Sequence, residues 1–321
     1  MLPVSIADVF AARRRIATHL RPTPLVASNW LSGANDAPVH LKLESLQVSG
    51  SFKSRGALNA VSQLETASGS PGVVTASAGN HGRALAWAAG LRGIAATVFT
   101  PRTAPDAKTR AIVRHGGTLR AEAATYEEAE RLAQVHARET GAVFVSPYNH
   151  PHVIAGAGTI ALELAEEMPE LEAVVVPVGG GGLISGIAAA LRAVAPATEI
   201  IGVEVEASCA FTAARRAGRI VPIEVGDTIA DGLGGNVEPD TLTWPFIRDL
   251  VDRVVVVAED DLLQGIRTLL AEEHLVAEGA GIAAIAAVAT GRAGTNGRRT
   301  AALLSGANID IDRLRTIIRA R

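Results

Sequence analysis

Between Ala173 and Val194 the chain passes from an unbroken apolar run, Ala173-Val174-Val175-Val176-Pro177-Val178, through four consecutive glycines, Gly179 to Gly182, into Leu183-Ile184 and an alanine-rich stretch. An apolar run without polar alternation needs cover on both faces, the condition of a strand in a parallel sheet flanked by helices. The same order recurs. Val73-Val74-Thr75 precedes a helical pattern from Asn80 to Ala89, Ala95 to Phe99 precedes one from Pro105 to Arg114, and Thr118-Leu119-Arg120 precedes Tyr126 to Glu139, with Val143-Phe144-Val145 closing the block. Later, a helix from Ile154 to Glu166 leads to Ala173–Val178, a helix from Leu183, a strand over Glu199–Val205 and a helix over Ser208–Ala217. Val254 to Val257, a helix over Asp260–Glu273, the Ala-rich run after Gly279 and the strand Thr300 to Leu304 complete the block. Runs alternating in this way predict two open, mostly parallel α/β domains, and 321 residues are enough for both. The loop Ser68-Gly69-Ser70-Pro71-Gly72 marks a boundary between them.

Composition removes several classes. A net charge of −3 with acids and bases interspersed gives no footprint for nucleic acid and no polybasic membrane patch. The uncharged stretch Ala173 to Leu191 carries Pro177 and the glycines at its middle, so it reads as strand, loop and helix, not as a span. Cys209, the only cysteine, cannot build an intrachain disulfide framework or a multi-cysteine metal site, and a reducing, cytoplasmic compartment is expected. No signal-peptide core precedes Arg13-Arg14-Arg15, which reads as a mature N-terminus. Ser5 and Asp8 have capping-box spacing for a first helix reaching about Leu20.

Open parallel sheets place their chemistry in loops at the carboxyl ends of strands. Ser49-Gly50-Ser51-Phe52-Lys53-Ser54-Arg55-Gly56 precedes the helical run Ala57 to Val61, so its serines can cap the helix and Lys53 falls in the first turn. A lysine at the positive end of a helix, or a desolvated one, loses its proton more easily, as a nucleophilic amine requires; an ordinary surface lysine is the alternative. Thr75-Ala76-Ser77-Ala78-Gly79-Asn80-His81-Gly82 offers a serine, free amides and a helix start to a carboxylate, or is simply a capped helix. Gly179 to Leu183 fits a phosphate at a helix N-terminus. It is not a nucleotide P-loop, because Ile187-Ala188 stand where lysine and Ser/Thr belong. A dinucleotide reading for a nicotinamide-dependent dehydrogenase has Ser185 where the third glycine belongs, though Glu204 lies at about the right spacing. Gly156-Ala157-Gly158 matches the same pattern without a strand ahead of it. Ser305-Gly306-Ala307-Asn308 ends the strand at Leu304, with a hydroxyl for a ligand atom or a helix cap.

One cofactor uses all of these parts. Pyridoxal phosphate needs a lysine for its aldehyde, a glycine cup for its phosphate and polar groups at its ring oxygen and nitrogen. Together with Ile154-Ala155-Gly156-Ala157-Gly158-Thr159-Ile160-Ala161-Leu162-Glu163 and Thr228-Ile229-Ala230-Asp231-Gly232, the four loops make the chain resemble, over essentially its whole length, the serine/threonine dehydratase and serine racemase family of the tryptophan-synthase-β fold (PLP fold type II). The resemblance implies that Lys53 holds the cofactor and removes the substrate α-proton. Phe52 lies against the ring, Asn80 meets the ring hydroxyl, Gly179, Gly180, Gly181, Gly182 and Leu183 bind the phosphate, and Ser305 faces the ring nitrogen. Ser77, Asn80 and His81 bind the substrate carboxylate. It further implies a cofactor cleft between a large domain, 1–71 with 146–321, and a small mobile domain, 72–145, in a homodimer.

The activity implied is dehydration of a 3-hydroxy amino acid such as L-threonine or L-serine to the 2-oxo acid and ammonia. A larger substrate (phenylserine, hydroxyaspartate, a hydroxyectoine-derived acid) and serine racemisation are the alternatives. Racemases of the family carry a second serine as acid/base where this chain has Ala78, so dehydration should dominate. Family members that bind a divalent cation use a glutamate, a carbonyl and an aspartate; here Glu204, Ser208 and Ala210 stand at those positions, and no metal is expected, at His150-Pro151-His152 either. Arg83 and Tyr148 depart from the threonine-enzyme pattern and leave room for a larger substrate. The chain stops near Arg321, so feedback control by isoleucine is not expected. A β-replacement synthase would carry an asparagine-led lysine motif, which Gly50-Ser51-Phe52-Lys53 is not.

Overall fold

A computed structural model describes residues 2–64 and 70–319. Helix α1 (Ile6–Ile16) begins at the expected capping box: the Ser5 hydroxyl accepts the Asp8 amide, and the Asp8 carboxylate accepts the Ser5 amide at 2.8 Å. Strand β1 (Leu25–Ala27), helix α2 (Asn29–Asn35) and strand β2 (Val39–Leu43) follow, and two short 3-10 turns lead into α3 (Lys53–Val61). A regular alternation comes next: β3 (Val73–Ala76), α4 (Asn80–Leu91), β4 (Ala96–Pro101), α5 (Asp106–Arg114), β5 (Thr118–Ala123), α6 (Tyr126–Thr140) and β6 (Val143–Phe144). The remainder comprises α7 (Pro151–Glu167), β7 (Ala173–Pro177), α8 (Gly182–Val194), β8 (Glu199–Val205), α9 (Ala210–Ala217), α10 (Thr243–Leu250), β9 (Arg253–Val257), α11 (Glu259–Glu273), α12 (Gly279–Ala289), β10 (Thr300–Leu304) and α13 (Ile311–Arg319).

The strands make two sheets. Six run in the order β1-β2-β10-β7-β8-β9, all parallel except β1, which pairs antiparallel with β2. Four run in the order β5-β4-β3-β6 and are all parallel. In the large sheet β7 is covered on both faces. Val174 and Val176 pack toward α1, α7 and α8, whereas Ala173 and Val175 pack toward α11 and α12. Each buried valine of such a strand contributes about 1.5–3 kcal/mol of transfer free energy, which is why the run tolerates no polar position.

Helix α3 is the seam between the two layers. Ala57, Leu58 and Val61 share a core with Val73, Leu85 and Ala88 beside the small sheet. Its other side meets α7 at backbone distance: a Cβ on Gly56 would lie 2.8 Å from the Val153 carbonyl, and one on Gly156 2.6 Å from the Arg55 carbonyl. Gly156-Ala157-Gly158 is therefore a helix-packing surface and not a nucleotide turn.

Some expectations need correction. Helix α3 starts at Lys53, four residues before the helical run read from Ala57, and its N-cap is Phe52 without a side-chain bond. The serines thus lie in the preceding turn and do not cap it: Ser49 takes a φ of 69°, and the fully buried Ser51 hydroxyl has no partner among the described residues. The N-terminal helix ends at Ile16, short of Leu20. The patterning did not single out β1, α2, α10 or α13. β1 has three residues, Gly33 interrupts α2, Pro245 interrupts α10, and charged residues fill α13. The loop Ser68 to Gly72 lies partly outside the described residues.

Candidate active site

The segments that follow β6 and β10 meet at Lys53. Its turn is stitched to the end of β10. The Phe52 amide donates to the Ser305 carbonyl at 3.1 Å, the Ala307 amide to the Gly50 carbonyl at 3.0 Å, and Ser51 bridges Gly306. The Lys53 Nζ donates to the Pro147 carbonyl at 2.7 Å and lies 5.0 Å from the centre of the Phe52 ring. Protein surrounds the ammonium, yet the side chain keeps partial solvent contact, as at the floor of a cleft. Burial lowers its pKa to about 8, against the opposing charge of Glu278.

After β3 the loop 77–79 carries its own bond, from the Gly79 amide to the Ser77 hydroxyl at 3.2 Å. A side chain at Gly79 would meet nothing within 4 Å, so the loop faces open space. Among the described residues the Asn80, His81 and Gly82 amides find no acceptor, as in the first turn of any helix, so they can take a carboxylate. The His81 imidazole points inward instead: Nε2 lies 3.0 Å from the Val145 carbonyl, Nδ1 has no partner among the described residues, and burial followed by the Lys53 charge lowers its pKa to about 3. Any carboxylate contact from His81 is through its amide.

Asn80 is held from both sides. Its Nδ2 donates to Glu278 at 2.6 Å, and its Oδ1 accepts from Asn308 Nδ2 at 2.6 Å, while Asn308 also donates to the Ser49 carbonyl at 2.8 Å and receives Arg83 on its Oδ1. Burial raises the Glu278 carboxyl to about 7, against the Asn80 hydrogen bond. A Cβ at Gly306 would lie 2.0 Å from Glu278, so a side chain there would displace that carboxylate from its bond to Asn80.

The glycine loop follows β7. Gly181 has a φ of +85°, and the amides of Gly179 to Ile184 make no hydrogen bond among the described residues. Six donors at the positive end of α8 form an anion cradle. Tyr148 closes one wall: a Cβ on Gly180 would lie 2.3 Å from the Tyr148 ring, whose hydroxyl donates to Glu238. Ser305 is buried at the tip of β10, and its hydroxyl makes no hydrogen bond among the described residues.

A sequence model described as "Pyridoxal-phosphate dependent enzyme" matches residues 16–306. The chain belongs to this family. It is 40% identical over 315 residues to an L-threonine ammonia-lyase of Thermotoga maritima, covering 98% of this chain and 78% of the relative. It is 39% identical over 308 residues to a beta-hydroxyaspartate dehydratase of Paracoccus denitrificans, covering 96% and 97%. The structure superposes on that of maize serine racemase with a TM-score of 0.93 at 34% identity, covering 98% and 96%. The enzyme uses pyridoxal phosphate and has the fold expected of the family.

The residues present fit the cofactor. A depressed lysine amine, an amide cradle without side-chain cations, the Asn80 amide and an unpaired Ser305 hydroxyl all border one cleft. A dinucleotide does not fit: both oxygens of Glu204 are consumed by the Phe211 amide at 2.7 Å, the Thr212 amide at 2.8 Å and the Thr212 hydroxyl at 2.6 Å. His150 caps α7 by accepting the His152 amide at 3.2 Å. Sequence reasoning missed Glu278, Pro147 and Glu238, and it gave Asn308 no role within the loop it singled out. A lone glutamate before Gly279-Ala280-Gly281 or a carbonyl after Ser146 carries no signal until the chain is folded.

Proposed function

We propose that the protein is a dehydratase that converts a 3-hydroxy amino acid, L-threonine or L-serine first, to the 2-oxo acid and ammonia. The observation that carries this reading is the Lys53 amine, depressed to about 8 between an amide-lined carboxylate loop and the glycine cradle. Bound there, pyridoxal phosphate supplies an aldehyde that condenses with amines and a ring that draws electrons from the substrate α-carbon. Lys53 holds the cofactor and, once displaced, serves as base at the α-carbon. Phe52 flanks the ring, Asn80 meets its hydroxyl, and Gly179 to Leu183 receive its phosphate. Ser305 would supply a neutral hydroxyl to the ring nitrogen, which, unlike a carboxylate, would not hold a proton there, and this favours dehydration. Ser77, Asn80 and His81 orient the carboxylate.

Residues 72–145 act as a small domain that closes over the substrate, and the enzyme works as a cytoplasmic homodimer. With a methyl group at Ala78, no serine hydroxyl stands there to return a proton to the second face.

The test is a panel of serine, threonine, phenylserine and hydroxyaspartate scored for 2-oxo acid, ammonia and D-amino acid. Keto acid is expected to exceed D-serine from L-serine; a preparation that yields chiefly D-serine refutes the reading. With Glu204 saturated by helix α9, the rate is expected to survive exhaustive chelation.

Cofactor uptake has its own pH signature. Lowering the lysine from 10.5 to about 8 increases the unprotonated fraction at neutral pH about 300-fold. Because the free amine attacks the aldehyde, attachment to the apoprotein should accelerate as pH rises through about 8 and then level off. A profile still rising at pH about 10 would place Lys53 in water.

A further inference from the structure

The wall formed by Pro147, Tyr148 and Gly180 carries a charge pattern that the reaction itself does not require. Tyr148 follows Pro147, whose carbonyl holds Lys53, and its ring rests on Gly180, so it borders both the amine and the phosphate cradle. Its hydroxyl donates to Glu238, which lies in the loop before α10. From the small sheet's side α6 brings Tyr126 and Glu130 to the same place. Burial and then the neighbouring Glu238 raise the Glu130 carboxyl, and burial, Glu130 and Glu238 raise the Tyr126 phenol. Glu238, hydrogen-bonded to Tyr148, and Glu130 thus act on the same two tyrosines.

The basic side chains near Glu278 are already engaged: Arg83 donates to Asn308 and to the Ser49 carbonyl, and Lys108 is paired with Asp231.

We infer that Glu238 and Glu130, with Tyr148 held between Glu238 and Gly180, select substrates by side-chain charge: the enzyme accepts 3-hydroxy amino acids with a neutral or cationic side chain and rejects those carrying a second carboxylate. This rests on the dehydratase reading and narrows it. A second carboxylate brought against this wall meets like charge in a partly desolvated setting without a compensating cation, whereas hydroxyl, amide or ammonium groups find acceptors. On this point the chain departs from its hydroxyaspartate-dehydrating relative.

The test compares kcat/KM of the holoenzyme for L-threonine, 3-hydroxyaspartate and 2,4-diamino-3-hydroxybutyrate. Threonine and the diamino acid should each exceed 3-hydroxyaspartate by about 100-fold or more, chiefly through KM. Glu238→Gln should narrow that ratio about tenfold, and Glu130→Gln should narrow it in the same direction, so either variant serves if the other does not fold. The ratio cancels any general loss of rate. Parity between threonine and 3-hydroxyaspartate in the native enzyme, or an unchanged ratio in a folded variant, overturns the inference.

If none of the three is dehydrated, the dehydratase reading fails separately. Charge selection is then read by absorbance titration of the holoenzyme with L-aspartate and L-2,4-diaminobutyrate. About tenfold tighter binding of the diamino acid upholds it, and equal or tighter binding of aspartate sinks it.

Discussion

Lys53→Ala is expected to leave a folded protein that no longer binds pyridoxal phosphate covalently and whose dehydratase rate falls at least about 1,000-fold. The position is exacting because three requirements meet on one nitrogen. It must be unprotonated often enough to attack an aldehyde, as burial to a pKa of about 8 ensures. It must be held, as the Pro147 carbonyl does at 2.7 Å. It must also move once the substrate amine displaces it, and a single carbonyl acceptor is a weak tether. Borohydride reduction of the native holoenzyme, followed by peptide mapping, should place the cofactor on Lys53, and the alanine variant should give no labelled peptide. A label on any other lysine, or undiminished turnover by the variant, would remove the basis of the assignment. Arginine at this position would not rescue, because a guanidinium stays protonated at every relevant pH.

The largest expected effect on stability lies two residues further along the same helix. Arg55 is 1% exposed, and its guanidinium donates to Glu44 at 2.7 and 2.8 Å, to Glu163 and to the Thr159 hydroxyl at 3.1 Å. Burial works against its charge, but Glu44 and Glu163 outweigh that and hold its pKa above the ordinary value. Lys42, 0% exposed, sits against Glu163 at 2.9 Å and Glu167 at 2.8 Å in the same network. Arg55→Ala leaves the buried Glu44 carboxylate without a cation and leaves Glu163 with Lys42 alone, a loss of about 3–5 kcal/mol. For a chain of this size that corresponds to a fall in melting temperature of about 10 °C, read on the apoprotein. A fall of under about 2 °C would mean that water enters and solvates the carboxylates. Arg55→Lys should recover little, because an ammonium cannot bridge two carboxylates with a planar fork. The network ties β2, α3 and α7 together at the level of Lys53, so part of the stability of the fold is located beside the reactive amine.

The backbone of this reading was legible in the chain itself. Uninterrupted apolar runs such as Val174-Val175-Val176 and Ala301-Ala302-Leu303, short and bounded by loop residues, read as strands covered on both faces, and their alternation with helices selects parallel sheets. Lys53, the glycines at 179–182 and the loops at Ser77 and Ser305 were equally visible, because a turn that must expose amides or adopt a φ of +85° leaves glycine and serine in the sequence. Short elements were harder. β1 and α2 have too few residues to show a period, and the start of α3 was obscured by serines that looked like caps.

What only folding decided is which groups meet across distance. Glu278 lies 198 residues from Asn80, and Glu238 lies 90 from Tyr148. No local pattern marks such pairs, since a glutamate in a loop looks the same whether it faces water or an amide. Nor does the sequence state a pKa. The Lys53 amine is depressed because tertiary packing takes water away from it, and the Glu278 carboxyl is raised for the same reason. Local propensity and apolar patterning, which need only neighbours along the chain, determined the architecture and the loops; desolvation and long-range pairing, which need the packed interior, decided the chemistry at their tips.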